Sequence, residues 1–163
     1  MKRCIAVLVL LTALAVTAGA KPRSVGIGAG AVQSVSMQHM VYGTDNVFQL
    51  DLGFHVGVPS SGTMRLMATY NIMLFSPEWT SEGKWNVYAG PGVSLGAGFS
   101  TAKALTFGVT AIAGVEYLFD SIPLQLSADL RPTFGIMLSN DAFRFDVDGM
   151  MGFVPTISAR YMF

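Results

Sequence analysis

Six charged side chains of this chain share one structural parity. Asp51, Arg65, Glu116, Asp129, Arg131 and Arg160 each lie in a run where apolar and polar residues alternate, and each belongs to the polar set. In a β-strand successive side chains point to opposite faces, so all six are directed to the face opposite the apolar one. Three acids and three bases sharing one interior must pair, because an isolated buried charge is strongly disfavoured. The expected chemistry is therefore an ion-pair network that fills and stiffens an enclosed space. A polar path or a substrate site is the second use of the same groups.

Other candidate chemistry is sparse. The only histidines are His39 and His55. A histidine beside a serine and an acid activates the hydroxyl as a nucleophile, and His55 has Ser60 and Ser61 just beyond it. No histidine lies near the carboxyl end, and no catalytic residue is assigned. Asp146-x-Asp148-Gly149 begins like a calcium loop but lacks the later acidic positions. Gly26-x-Gly28-x-Gly30 has the wrong spacing for a dinucleotide fingerprint, and no helix pattern follows it. Neither a metal nor a cofactor is expected.

The elements that position these residues have a period of two. Phe48, Leu50, Leu52, Phe54, Val56 and Val58 alternate with Gln49, Asp51, Gly53, His55 and Gly57. Similar stripes run through Met64–Leu74, Trp85–Leu95, Leu105–Phe119, Leu124–Ile136 and Ile157–Phe163. Several runs reach the 9–11 residues that a membrane-spanning strand needs. Their polar faces are rich in glycine, which suits a crowded, hydrated lumen. Tyr70, Phe75, Trp79, Trp85, Tyr117, Phe119, Tyr161 and Phe163 lie near strand ends, where aromatic girdles are expected. A soluble β-sandwich also alternates, but the length of the strands favours a barrel in lipid.

Composition agrees. Hydrophobic residues make up 52% of the 163 positions and charged ones 12%, against about 25% charged in ordinary soluble domains. No basic patch points to nucleic acid. Lys2 and Arg3, the apolar stretch from Ile5 to Val16 and the small residues Ala18-Gly19-Ala20 have the layout of a cleaved secretory signal peptide over 1–20. The one cysteine, Cys4, falls inside it. The mature chain, 21–163, then has no thiol chemistry.

Seven alternating runs are plain, and bacterial barrels generally have even strand numbers. The expected eighth strand comes from splitting the first run, Ser24 to His39, near Gly30, which puts both termini at one end. The rival position is Ala142 to Asp148, inside the long irregular stretch from Ser139 to Gly152. The fold expected is all-β, an eight-stranded antiparallel transmembrane barrel.

The chain stops on an aromatic strand. Thr156, Ser158, Tyr161 and Phe163 resemble the terminal signal by which the barrel-assembly machinery recognises its clients, a form of β-augmentation. Gly90-Pro91-Gly92, the segment Gly114–Phe119, its continuation Ile122–Pro132, Ser36–His39 and Leu50–Gly53 together resemble a family of small outer-membrane barrels of Bacteroides-type Gram-negative bacteria, related in size to the OmpX class. The resemblance covers most of the mature chain. It implies the fold and an outer-membrane location but no assigned chemistry. The function expected is a structural or surface-interaction role for a monomer among outer-membrane lipid and lipopolysaccharide, delivered by periplasmic chaperones. The alternatives are a lipid A-modifying acyltransferase or deacylase, and a narrow passive channel. An eight-stranded barrel is just wide enough to be filled by its own side chains, which disfavours an open pore.

Overall fold

The structure is a computed structural model, and it describes residues 21–30, 33–54, 63–98, 104–139, 143–147 and 153–163. The expected signal peptide, His55, Ser60, Ser61, Asn140, Asp141, Asp148 and Gly149 lie outside the described residues. Among the described residues there are ten strands: β1 (Lys21–Ala29), β2 (Gln33–Met40), β3 (Val47–Phe54), β4 (Thr63–Phe75), β5 (Gly83–Gly98), β6 (Ala104–Phe119), β7 (Leu124–Leu130), β8 (Thr133–Ser139), β9 (Phe143–Val147) and β10 (Thr156–Met162).

These ten strands make an eight-stranded wall. Each pairs antiparallel with its sequence neighbour from β1 to β6. β6 then pairs with β7 over Ala113–Leu118 and with β8 over Ala104–Thr110. β7 and β8 are thus two halves of one wall strand, broken at Arg131-Pro132. β9 continues the wall beside β8, and β10 beside β7. β10 closes the sheet on β1, with Ser24 opposite Met162 and Ala29 opposite Ile157. The β1–β10 pairing joins the last strand to the first, as lipid requires of a spanning wall.

The missing hairpin is where the glycines suggested, between β1 and β2. The rival segment is also a strand, β9, but it is the outer half of the last wall strand and adds no further strand to the wall. The irregular stretch expected from Ser139 to Gly152 is therefore strand over Phe143–Val147. Both described ends of the barrel chain, Lys21 and Phe163, lie at one end, together with the turns after β2, β4 and β6. We call this the terminal end.

Proline shapes the wall. Pro91 on β5 stands opposite Ala111 on β6, and Ala111 donates its N–H to the carbonyl of Pro132 at 3.0 Å. A proline gives no N–H to a ladder. The β4–β5 register skips Gly90 and Pro91, and β6 changes partner at the same level. The wall is also uneven in height. β5 and β6 have 16 residues each, β2 and β3 have 8 each. At about 3.3 Å per residue, the β5–β6 hairpin and the paired β8–β9 rise well past β1–β3 at the far end.

Burial is inverted relative to a water-soluble protein. Ser24, Gln38, Gln49 and Asn71 are 0% exposed, whereas Ile27, Val109 and Ile157 are 67%, 63% and 64% exposed. The large apolar side chains buried inside are Val47, Met67, Tyr88 and Ile112. This polar-in, apolar-out arrangement excludes the β-sandwich alternative, in which the shared interior is apolar.

The aromatic side chains expected to form two girdles gather at one end. Trp79, Trp85, Tyr117 and Phe119 make a run of edge and tilted contacts with ring centroids 4.7–5.3 Å apart, and Tyr161 meets Phe163 at 5.7 Å. All belong to the terminal end. Toward the far end the exposed phenylalanines are Phe54, Phe107 and Phe145.

Candidate functional site: the charged lumen

The lumen is filled in two layers. Nearest the terminal end is a ring of amides and carboxylates drawn from successive strands. Gln38 on β2 donates to Gln49 on β3 at 2.8 Å, and Asn71 on β4 donates to the same Gln49 oxygen at 3.0 Å. Asn86 on β5 donates to Glu116 on β6 at 2.7 Å. Gln125 on β7 donates to Glu116 at 2.6 Å and to Gln38 at 3.1 Å. Ser24 on β1 stands between Gln38 and Gln125, at 3.0 and 2.8 Å. The ring is therefore laced across the barrel axis as well as around it.

Arg23 completes this layer. Its guanidinium bridges both carboxylate oxygens of Glu116 and contacts Gln38. By simple alternation Arg23 should face lipid, because Ser24 faces the lumen. The β1–β2 register shifts between Pro22 and Ser24, and this bulge turns both Arg23 and Ser24 inward. Pro22 is the sequence signal at that point, since it cannot donate to a regular ladder.

The second layer centres on Arg131, which sits at the β7–β8 break. It makes a two-point contact with Asp129 and reaches Asp51 on β3 at 3.1 Å. Tyr88 on β5 donates to Asp129 at 3.0 Å, and Gln49 donates to Asp51 at 2.8 Å, joining the two layers. Above it, Thr133 donates to Thr110 at 3.1 Å, and Thr110 donates to the carbonyl of Pro132 at 3.0 Å.

Of the six charged residues read from parity, Asp51, Glu116, Asp129 and Arg160 are all but fully buried. Arg131 joins two of the acids. Arg160 instead lies among hydroxyls: its Nε donates to Ser36 at 3.0 Å and its NH1 to Ser127 at 2.7 Å. Arg65, half-buried on β4, lies opposite Gly53 and Gly96, nearer the far end. The partner of Glu116 is Arg23.

The residues matched to the terminal assembly signal divide by face. Thr156 and Ser158 are buried in the lumen, while Tyr161 and Phe163 are exposed on the outer wall. His39 is buried, and neither of its ring nitrogens has a hydrogen-bond partner among the described residues. Among the described residues no group of three His, Cys, Asp or Glu side chains is placed to hold a metal ion.

No protein-family model matches this chain, and no curated protein matches it. Among solved structures it is similar to a major outer membrane protein from Thermus thermophilus, at 12% sequence identity and a TM-score of 0.45, over 87% of this chain and 98% of that one. At that similarity the functional reading rests on the chain's own geometry.

Proposed function

We propose that this protein is a monomeric outer-membrane barrel with a sealed lumen, acting as a structural and surface-interaction element of the envelope and not as a pore. The observation that carries this reading is the crossed ring at the terminal end. Seven strands feed hydrogen-bonding side chains into it, and Glu116 alone receives Arg23, Asn86 and Gln125. A hydrated ion crossing the barrel would have to part these bonds together. The ring is cross-linked but not saturated, since Oδ1 of Asn71 has no hydrogen-bond partner among the described residues, and buried polar networks of this kind rigidify the structure they occupy.

The apolar outer wall supports the membrane location, and the aromatic cluster at the terminal end suits a lipid–water boundary. With the termini on the periplasmic side, the tall β5–β6 and β8–β9 hairpins rise from the outer surface. β9 lies at the end of the sheet order, and an edge strand is a template for pairing with another chain. Lipopolysaccharide would surround the upper wall. Assembly would use periplasmic chaperones and the barrel-assembly machinery through the strand that ends on Phe163.

The test is planar-bilayer recording on the mature protein refolded in detergent, after cold and boiled samples on a denaturing gel have shown a faster-running folded form. The expected result is no conductance step above the lipid baseline. Reproducible unitary steps from wild type would overturn the sealed-lumen reading.

A further inference from the structure

The two inner rows along β1 are built around glycine. In one row Arg160 on β10, Gly26 on β1 and Ser36 on β2 stand in register; in the next, Ser158, Gly28 and Ser34 do. Lacking side chains, Gly26 and Gly28 form the floor of a trough in the inner wall between β10 and β2. In the first row the trough is spanned: Arg160 reaches over Gly26 to Ser36. In the second row no hydrogen bond between the serine hydroxyls spans it. A Cβ placed on Gly28 would come 2.8 Å from Ser158 Oγ and 2.9 Å from Ser34 Oγ, so both hydroxyls point at the same spot.

Both hydroxyls are buried and have no hydrogen-bond partner among the described residues, and the NH2 of Arg160 is in the same position. Ser158 and Arg160 are each 1% exposed. Buried polar atoms are paired in the great majority of cases. Charge sharpens the point. Each buried carboxylate described in the lumen is bonded to another arginine: Glu116 to Arg23, and Asp51 and Asp129 to Arg131. The named contacts of Arg160 are with the neutral hydroxyls of Ser36 and Ser127. Two hydroxyls thus converge beside a wall position that carries no side chain, and Arg160, with its own unpartnered NH2, stands in the adjacent row.

We propose that this glycine-floored trough is a binding site for a small monovalent anion of the halide class, held by Arg160 NH2, Ser158 Oγ and Ser34 Oγ. The site is independent of the role proposed for the barrel as a whole. A halide suits it because its polar groups can all donate, and the space over Gly28, bounded on a third side by the Thr156 methyl group at 3.3 Å from the Cβ position, is small. A carboxylate- or phosphate-bearing metabolite would need room that Ser34 and Ser158 close off.

The experiment is to refold the mature chain in detergent with bromide as the only halide, so that the site fills as the barrel closes, and to crystallise it. The expected result is an anomalous bromide peak within hydrogen-bonding distance of Arg160 NH2 and the two serine hydroxyls. Anomalous peaks confined to surface residues, with ordered water alone in the trough, would overturn the proposal. Gly28→Ala, treated identically, places a methyl group between the hydroxyls and leaves Arg160 in place; its peak should be lost. A bromide peak of equal height in Gly28→Ala would also overturn the assignment. Arg160→Met should lose the peak as well. Should that variant fail to fold, the wild-type and Gly28→Ala crystals decide the question.

Discussion

Arg23 and Glu116 meet across the lumen although 93 positions separate them in the chain. The first sits on a bulge in the opening strand, and the second near the terminal end of β6. Glu116 is enclosed, and Arg23 nearly so. Removing one partner of such a pair leaves a charge that the interior cannot solvate, at a cost of about 3–5 kcal/mol. Replacing both with apolar groups of similar size is far less costly. Arg23→Met and Glu116→Leu should each lower unfolding stability by about 3 kcal/mol or more, and the double variant should recover most of it. Urea titration of the detergent-folded barrel, followed by tryptophan emission, checks this. Single and double variants that lose stability additively would show that the pair is not coupled.

This pair also marks where sequence reasoning stopped. Parity alone placed Asp51, Glu116 and Asp129 inside, because β3, β6 and β7 keep unbroken alternation through those positions. It also pointed to the hairpin near Gly30, since three glycines on one face leave little side chain to hold a straight strand. It could not place Arg23, because a bulge adds one residue and reverses the face of everything beyond it. It read Leu124–Ile136 as one strand, and the pairing partner of β6 changes where Arg131-Pro132 interrupts it. Phe143, Phe145 and Val147 alternate, but their run is short, so it competed poorly with the surrounding loop residues. The pairing of Arg131 with both Asp51 and Asp129 is a matter of register between distant strands, which the period of a single strand does not encode.

The glycines of β1 are not equivalent. A Cβ on Gly26 would collide with the backbone at Ala159 and Arg160, whereas one on Gly28 meets first the hydroxyl ends of two serine side chains. Backbone in a closed sheet has nowhere to retreat; a serine rotamer has. Gly26→Ala should therefore prevent closure at the β1–β10 seam, and Gly28→Ala should fold. The readout is the fraction of protein that runs as the compact form when loaded unboiled. Equal folding yields for the two variants would contradict the close approach at Gly26.

The outer wall offers a test that separates lipid from water as its solvent. Val109 is 63% exposed on β6, and its neighbour in register, Val93, is 59% exposed. In a water-soluble protein Val109→Arg at such a position changes stability by about 0.5 kcal/mol or less. On the lipid face of a barrel near the midplane it costs about 2–4 kcal/mol. Folding into phospholipid vesicles, titrated with guanidinium, should show the larger loss, and Thr110→Ser on the lumen face should show much less. A Val109→Arg barrel as stable in vesicles as wild type would place that surface outside the hydrocarbon region.

The last strand makes its own demand. Phe163 donates its backbone N–H to the carbonyl of Arg23 at 3.0 Å, while its ring lies on the outer wall against Tyr161. The backbone bond helps to close the barrel; the ring adds little buried area to it, being 70% exposed. Phe163→Ala keeps the N–H and removes the ring. If the ring serves recognition during assembly, the variant should refold from urea into detergent with near wild-type yield. In cells it should accumulate poorly in the outer membrane and be degraded in the periplasm. Parallel measurement of refolding yield and of the compact unboiled form in isolated membranes distinguishes the two roles. Loss of refolding in detergent would make Phe163 a structural residue of the seam, and normal accumulation in cells would remove it from the assembly signal.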